Sequence, residues 1–205
     1  SIAPHYIKID ESLQALRNLQ LPDWFSEYIG LMESTLQKDR ERADKAQELL
    51  DNLSLFYAYS QEVLEGNIAE RAMEKCLSDG TDKYDNGDYA GGREQFNKAK
   101  DWNSVIEAHA IAASELIEFA YLDRVKSNRI ESEEVINKFL RVFDLFAAGS
   151  RDQAIQLLKD AEQQDQLLQT KRLHASDLMP EHRAWWSSQV DQILSEVREL
   201  TAEIE

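Results

Sequence analysis

The chain has 205 residues, of which 42% are hydrophobic, and its 23 basic and 39 acidic side chains give it a formal charge of −16. The large apolar share excludes an intrinsically disordered chain, since disorder requires low hydrophobicity together with high charge. The negative charge, without a Lys/Arg stripe, argues against binding to nucleic acid or to an anionic membrane. The sequence has no run of about 18 apolar residues, so we expect no direct membrane insertion of this segment.

Glycine and proline are widely spaced along the chain, and the stretches between them are rich in strong helix formers. The sequence therefore predicts an all-α fold with about seven helices. In chain order, the predicted helices cover residues 7–19, 22–66, 68–86, 89–120, 132–148, 150–173 and 180–204. Short connections favour antiparallel hairpins, so we expect an elongated helical bundle or a stack of hairpins. We expect a single helical domain covering 1–205, with a looser join near 125–132.

Two of the predicted helices are long and carry seams typical of coiled-coil-like packing. The first seam has alternating steps of three and four residues and comprises Phe25, Ile29, Met32, Leu36, Asp39, Ala43, Ala46, Leu50, Leu53, Tyr57, Ser60 and Leu64. We place the end of this helix at Gly66, with Asn67 as the cap of the next one. The second seam runs from Tyr89 to Ala120, and its many alanines allow a neighbouring helix to approach closely.

Helix boundaries in the second half of the chain carry capping signals. Ser132, followed by two glutamates, is typical of an N-cap with acidic residues in the first turn. Gly149 predicts a C-terminal stop, and Ser150 with a glutamine three residues later forms a capping-box signature. Pro180 suits the first position of a final helix, after a loop over 174–179.

Two segments, around 80–100 and 149–161, resemble helical hairpins of the tetratricopeptide (TPR) family. The first resemblance rests on Gly80, Gly87, Asp88, Tyr89, Gly92, Phe96, Lys98 and Ala99, and the second on Gly149, Ala154, Ile155, Leu158 and Ala161. The two copies lie farther apart than the roughly 34 residues of tandem TPR motifs. The resemblance implies closely crossing helix pairs and binding to a protein or peptide, and it identifies no catalytic residue.

The sequence contains no pattern typical of an enzyme or of a metal site. In the acidic segment 79–88, an EF-hand register with Gly87 at its sixth position places Tyr84 and Arg93 where oxygen ligands are required, so we interpret the segment as a solvated turn. Glu-x-x-His pairs, His-Glu-x-x-His and paired cysteines are all absent. We interpret Cys76 as a buried structural thiol. We therefore expect no enzyme activity, no cofactor and no metal.

Aromatic side chains supply the candidate partner-binding surface, which comprises Trp185, Tyr59 and Phe56. Adjacent residues on a helix diverge by about 100°, so Trp185 and Trp186 point in different directions. We assign Trp186 to a seam and Trp185 to a boundary or the surface. Phe56 and Tyr59 spread around the long helix away from Tyr57, which places them against another element or in solvent.

These observations predict a non-enzymatic helical interaction or scaffold module that binds a protein or peptide. The acidic charge favours a basic partner. The alternative is an extracytoplasmic small-molecule-binding sensor domain, in which the ligand lies between the helices of a bundle. A single cysteine carries no information about the redox compartment, so the sequence predicts no localisation. It predicts no oligomeric state either.

Overall fold

The computed structural model describes residues 3–19, 22–171 and 175–204, and side chains from residue 5 onward in the first range and residue 177 onward in the last. Every regular element in these ranges is helical, which confirms the all-α prediction. The elements are α1 (Ala3–Arg17), α2 (Asp23–Asp85), α3 (Tyr89–Leu116), α4 (Ala120–Ala147), α5 (Arg151–Thr170), α6 (Ala175–Trp186) and α7 (Gln192–Ile204). A π-helical segment, Ser187–Asp191, connects α6 to α7 without a break, so the described residues form six continuous helices.

The expected helix end at Gly66 and the cap at Asn67 are wrong, because α2 continues through both residues for a total length of 63 residues. A glycine inside a helix costs about 1 kcal/mol relative to alanine. Here it lies against α3, where a Cβ added at Gly66 would lie 3.6 Å from the Cβ of His109. The small residue therefore marks a close helix contact rather than a boundary.

The expected N-cap at Ser132 is also wrong, because α4 is helical throughout Ala120–Ala147. The looser join near 125–132 stays a prediction. Ser132 is buried inside α4, and its hydroxyl donates to the Asn128 carbonyl oxygen at 2.8 Å. The break between α3 and α4 lies instead at Ile117 and Phe119, which both have extended backbone conformations. Both of these side chains are buried, so the core fixes the break where no glycine or proline marks it.

Two glycines end helices as their type predicts. Gly149, the expected stop after α4, has a φ of +74°, and Gly87 after α2 has a φ of +79°. At Gly149 the amides of residues 149 and 150 donate to the carbonyl oxygens of Phe146 and Leu145, which is the Schellman arrangement. Ser150 precedes α5 as expected, but its side chain makes no capping hydrogen bond, whereas Asp88 caps α3 through the Gly91 amide at 2.9 Å.

The final helix starts earlier than the sequence predicts. His174 lies outside the described residues, but Ala175–Trp186 is helical, so the expected loop is wrong over its described part and Pro180 lies within α6. Proline removes one backbone hydrogen bond from a helix. Burial of Leu178 two residues earlier holds this turn against the core.

The contacts divide the chain into two compact units. Unit 1 comprises residues 1–54 and 183–205, and unit 2 comprises residues 55–182. Both units include parts of the continuous helices α2 and α6. The expectation of a single helical domain stays a prediction.

Unit 1 combines a small apolar core with polar contacts between its helices. Its buried apolar residues are Leu13, Ile29, Val190 and Ile193. The Tyr6 hydroxyl donates to Asp39 Oδ2 at 2.8 Å, and Asn52 Nδ2 donates to the Gln189 carbonyl oxygen at 3.0 Å. Lys45 pairs with Glu196 at 3.0 Å. Hydrogen bonds and ion pairs therefore supplement the limited apolar packing.

Unit 2 is a stack of antiparallel hairpins. Arg93 pairs with Asp144, while Lys100 farther along α3 bonds Asn137 nearer the start of α4, so these two helices run in opposite directions. The core cluster contains Met73, Phe96, Ile136 and Phe143. A Cβ added at Gly92 would lie 2.8 Å from the Phe143 ring and 3.1 Å from the Gly80 carbonyl oxygen, and one added at Gly80 would lie 2.7 Å from the Phe96 ring. The helices therefore cross closely at these two glycines.

The first predicted seam has the wrong register within unit 2. Tyr57 and Leu64 were placed on the packed face, but they are 68% and 50% exposed. The buried face of α2 instead contains Tyr59, Ala69 and Met73. The small residues along this second face let α3 approach, and that approach decides which side of α2 is covered.

Candidate functional site

A cavity of about 280 Å³ lies inside unit 2, between α2, α3 and α4, with α5 along one side. Helix α2 contributes Glu62, Val63, Gly66, Asn67, Glu70, Met73, Glu74, Leu77 and Thr81 to its lining. Helix α3 contributes Phe96, Ile106, His109, Ala110 and Ala113, and α5 contributes Asp165, Leu168 and Gln169. Helix α4 contributes Tyr121, Leu122, Val125, Asn128, Arg129, Ser132, Val135, Ile136 and Phe139. The cavity is therefore lined by four helices of unit 2.

Small side chains on α3 create the cavity. Ala110 and Ala113 line it and are buried, and they face longer apolar side chains from the neighbouring helices, such as Met73 and Ile136. Protein interiors are normally packed without voids larger than a water molecule. A partly open space of this size, lined by apolar side chains and a few polar ones, is typical of a ligand pocket between helices.

Arg129 places a cation inside this apolar lining. Its side chain is only 11% exposed, and its Nη2 lies 3.5 Å from Glu70 Oε1. Its Nη1 lies 4.0 Å from the Met73 sulfur, and its buried Nε has no hydrogen-bond partner within the described part of the chain. Burial lowers the pKa of the Arg129 guanidinium from its usual value. The guanidinium has more donors than the surrounding side chains satisfy.

Tyr121 lies on the same face of α4, two helical turns before Arg129. Its hydroxyl has no hydrogen-bond partner among the residues that the structure describes, whereas its backbone amide donates to Glu181 Oε2 at 3.3 Å. Burial, with a smaller contribution from Glu70, raises the pKa of the Tyr121 hydroxyl. The hydroxyl therefore stays protonated and remains a donor beside the cavity.

Four other polar side chains of the lining form two pairs. His109 Nδ1 lies 2.8 Å from Glu62 Oε2, and Gln169 Nε2 donates to Asp165 Oδ2 at 2.7 Å. Each pair gives one oxygen of Glu62 or Asp165 a hydrogen-bond donor from within the lining. The arrangement can bind and orient a molecule, and the Arg129 guanidinium is its buried donor without enough acceptors.

No group of three or more His, Cys, Asp or Glu side chains within residues 3–19, 22–171 and 175–204 is arranged to hold a metal ion. In the acidic segment 79–88, most residues belong to the last turns of α2, and Asp88 is the N-cap of α3. Cys76 is half-buried and packs against the core cluster.

The predicted aromatic surface is not a shared exposed surface. Tyr59 was predicted there, but it is completely buried, its hydroxyl lies 2.8 Å from His182 Nε2, and its ring meets Phe119 edge to face. Phe56 is half-buried, with its ring 5.8 Å from that of Tyr59. Trp185 is half-buried, as expected for a boundary position, whereas Trp186, which was assigned to a seam, is 37% exposed. Burial raises the pKa of the Tyr59 hydroxyl and lowers that of His182.

A row of exposed aromatic and aliphatic side chains lies elsewhere. Trp24, Tyr28 and Leu31 are each more than half exposed and follow one another at i, i+4 and i+7 on the first turns of α2. We call these three residues the α2 stripe. Sequence reasoning passed over them because the seam through Phe25 and Ile29 was the stronger pattern.

Sequence reasoning also missed Arg129, Tyr121 and Glu70. A signal was present, since Arg129 interrupts the apolar positions Val125 and Ile136 on one face of α4. The expected helix start at Ser132 hid this face by placing Arg129 outside the helix.

No protein-family model, curated protein or solved structure matches this chain. Within the residues that the structure describes, no helix is both long enough and apolar enough to span a membrane. The TPR resemblance stays a prediction.

Proposed function

We propose that this chain is a non-enzymatic binding protein that holds a small organic molecule in the cavity of unit 2. The observation that carries this proposal is a space of about 280 Å³ between the helices, lined by a buried arginine whose Nε has no partner in the described residues. Sites for small molecules are typically apolar spaces with a few placed polar groups, and they occur between the helices of bundles. This develops the second of the two functions that the sequence predicts.

The size of the cavity supports a ligand rather than solvent alone. An engineered apolar cavity of about 150 Å³ binds benzene. The cavity of unit 2 is nearly twice as large, and its lining combines apolar side chains with polar and charged ones. A molecule somewhat larger than a single aromatic ring fits this space.

A cavity-filling substitution tests the proposal. Ala110→Leu places about three extra carbon atoms into the space and is expected to stabilise unit 2 by about 1–2 kcal/mol, since buried methylene groups contribute about 0.8 kcal/mol each before strain is subtracted. The same change should abolish stabilisation by ligands in a thermal-shift screen of amino acids, organic acids and related small molecules. Ala108→Leu is the matched control, because Ala108 is solvent-exposed on the same helix.

In the wild type we expect at least one compound whose stabilisation grows with concentration, reaching about 2.7 kcal/mol at roughly 100 times its Kd. The Ala108→Leu variant should respond in the same way. Failure of every compound, or equal stabilisation of the Ala110→Leu variant, would show that the cavity is not the binding site.

The α2 stripe favours a second function, an interaction module that docks onto a protein. Aromatic and aliphatic anchors at i, i+4 and i+7 are what an amphipathic helix inserts into the groove of a partner. Asp23 and Glu27 lie among these anchors, and the whole chain carries a charge of −16. We therefore expect a protein partner whose apolar groove is bordered by basic residues.

The partner-docking function predicts that one protein, captured and identified, binds the wild type in purified form with an affinity that falls with rising salt. Combining Trp24→Ala with Tyr28→Ala should weaken this binding at least about 10-fold, since aromatic anchors often contribute 2 kcal/mol or more. Tyr57→Ala is the matched control, because Tyr57 is as exposed as Trp24 but lies outside the stripe. Equal binding by the double variant would contradict this function.

A further inference from the structure

We infer that the molecule bound in the cavity of unit 2 is an organic carboxylate, with its carboxylate on Arg129 and its apolar body against the opposite walls. This inference rests on the proposed small-molecule function and names its ligand class. It follows from the donors that the cavity leaves unsatisfied, from the quality of the contact between Arg129 and Glu70, and from the shape of the apolar lining.

The buried guanidinium lacks acceptors. Arginine has five N–H donors and no acceptor. Here Arg129 has one ionic contact at 3.5 Å, one sulfur contact at 4.0 Å and an Nε without a partner in the described residues. A strong arginine–carboxylate pair has N–O distances of about 2.7–2.9 Å and is often bidentate. Glu70 therefore does not supply the partner that this cation requires.

A cationic ligand does not supply the acceptor that Arg129 lacks, because it brings only further donors, which the carboxylates of the lining would receive instead. The Tyr121 hydroxyl is a second donor beside the cavity, without a partner in the described part of the chain. The carboxylates of Glu62 and Asp165 already accept hydrogen bonds from His109 and Gln169. A ligand acceptor that contacts the Arg129 guanidinium and the Tyr121 hydroxyl therefore supplies the partner that the buried cation lacks.

The apolar body of the ligand fits against the apolar part of the cavity lining. Ala110 and Ala113 leave room beside Met73, Ile106 and Ile136, which are buried or line the space. The volume exceeds that of a benzene-sized cavity by enough for a ring with a short arm. The ligand class is therefore a monocarboxylate with an apolar ring or short chain.

Glu70 competes with the ligand in this arrangement. It is the only carboxylate that contacts Arg129 among the described residues, and its side chain is one third exposed. Replacing it with glutamine removes the negative charge that competes for Arg129 and repels an incoming carboxylate. Glu70→Gln should therefore strengthen carboxylate binding, a gain that a purely structural role for the ion pair does not predict.

Three probes with one skeleton test the inference: hydrocinnamate, its neutral amide hydrocinnamamide, and the amine phenylpropylamine. We expect isothermal titration of the wild type to give a Kd for hydrocinnamate at least about 10-fold lower than for the amide, because hydrogen bonds to charged groups contribute about 1.5–3 kcal/mol against about 1 kcal/mol for neutral ones. The amine should bind most weakly.

Substitutions at Arg129 and Glu70 test whether these two residues cause the preference for the carboxylate. Arg129→Met should weaken hydrocinnamate binding about 10-fold or more and leave the amide within about 3-fold, while Glu70→Gln should strengthen hydrocinnamate binding about 3- to 10-fold. Arg141→Met is the matched control, since Arg141 is exposed on the same helix and outside the cavity lining. It should change neither Kd by more than about 2-fold. If Arg129→Met does not fold, the three probes and Glu70→Gln decide the inference without it.

The results separate this inference from the function on which it rests. Equal or tighter binding of the amide, or carboxylate affinity unaffected by both Arg129→Met and Glu70→Gln, overturns the carboxylate assignment. If those probes still lose binding in the Ala110→Leu variant, the cavity remains the ligand site. Absence of hydrocinnamate binding to the wild type also overturns the assignment, and the broader thermal-shift screen then judges the proposed function independently.

Discussion

Gly92→Val is expected to destabilise unit 2 by about 3 kcal/mol, at the upper end of the usual cost of overpacking a core. A Cβ at this position would lie 2.8 Å from the Phe143 ring and 3.1 Å from the backbone oxygen of Gly80. The ring belongs to the core cluster, and the backbone of α2 is fixed by the helix, so neither neighbour can move aside easily. Urea unfolding followed by circular dichroism measures the change.

Gly30→Ala provides the contrast, because a Cβ at Gly30 would meet no atom within 4 Å. It should stabilise the protein by about 0.5–1 kcal/mol, since alanine is the better helix former. A Gly92→Val variant as stable as the wild type would mean that α2, α3 and α4 do not cross as closely as the structure has them.

Tyr59→Ala is expected to cost about 3–5 kcal/mol, as large aromatic-to-alanine changes in a core do. Tyr59 has no exposed surface, and its ring packs against Phe56, Phe119 and the imidazole of His182. The substitution also removes the hydroxyl that lies 2.8 Å from His182 Nε2. Thermal and urea unfolding of the two proteins at the same pH give the difference.

Tyr57→Ala is the matched control, two residues away on the same helix and 68% exposed. Surface substitutions usually change stability by less than about 0.5 kcal/mol. Should Tyr57→Ala prove the more damaging change, the seam read from the sequence would be the packed face and the register of α2 in the structure would be wrong.

The sequence by itself determined the helical fold class and several helix ends. Long stretches of helix formers between rare glycines and prolines predict helices through local backbone preference alone. The stop at Gly149 was predictable for the same reason, because a left-handed residue after a helix favours glycine whatever surrounds it. These features depend on the residues within a few positions of each other.

Tertiary structure decided which face of each helix is buried and where the cavity lies. On α2, both the Tyr57 face and the Tyr59 face carry apolar residues, and the approach of α3 at Gly66 and Gly80 selects the second. Likewise, Arg129 gains its significance from the alanines of α3 opposite it, which leave the space that its own helix does not define. Periodicity records that a helix has an apolar face, but which neighbour covers that face, and how completely, depends on packing between distant parts of the chain.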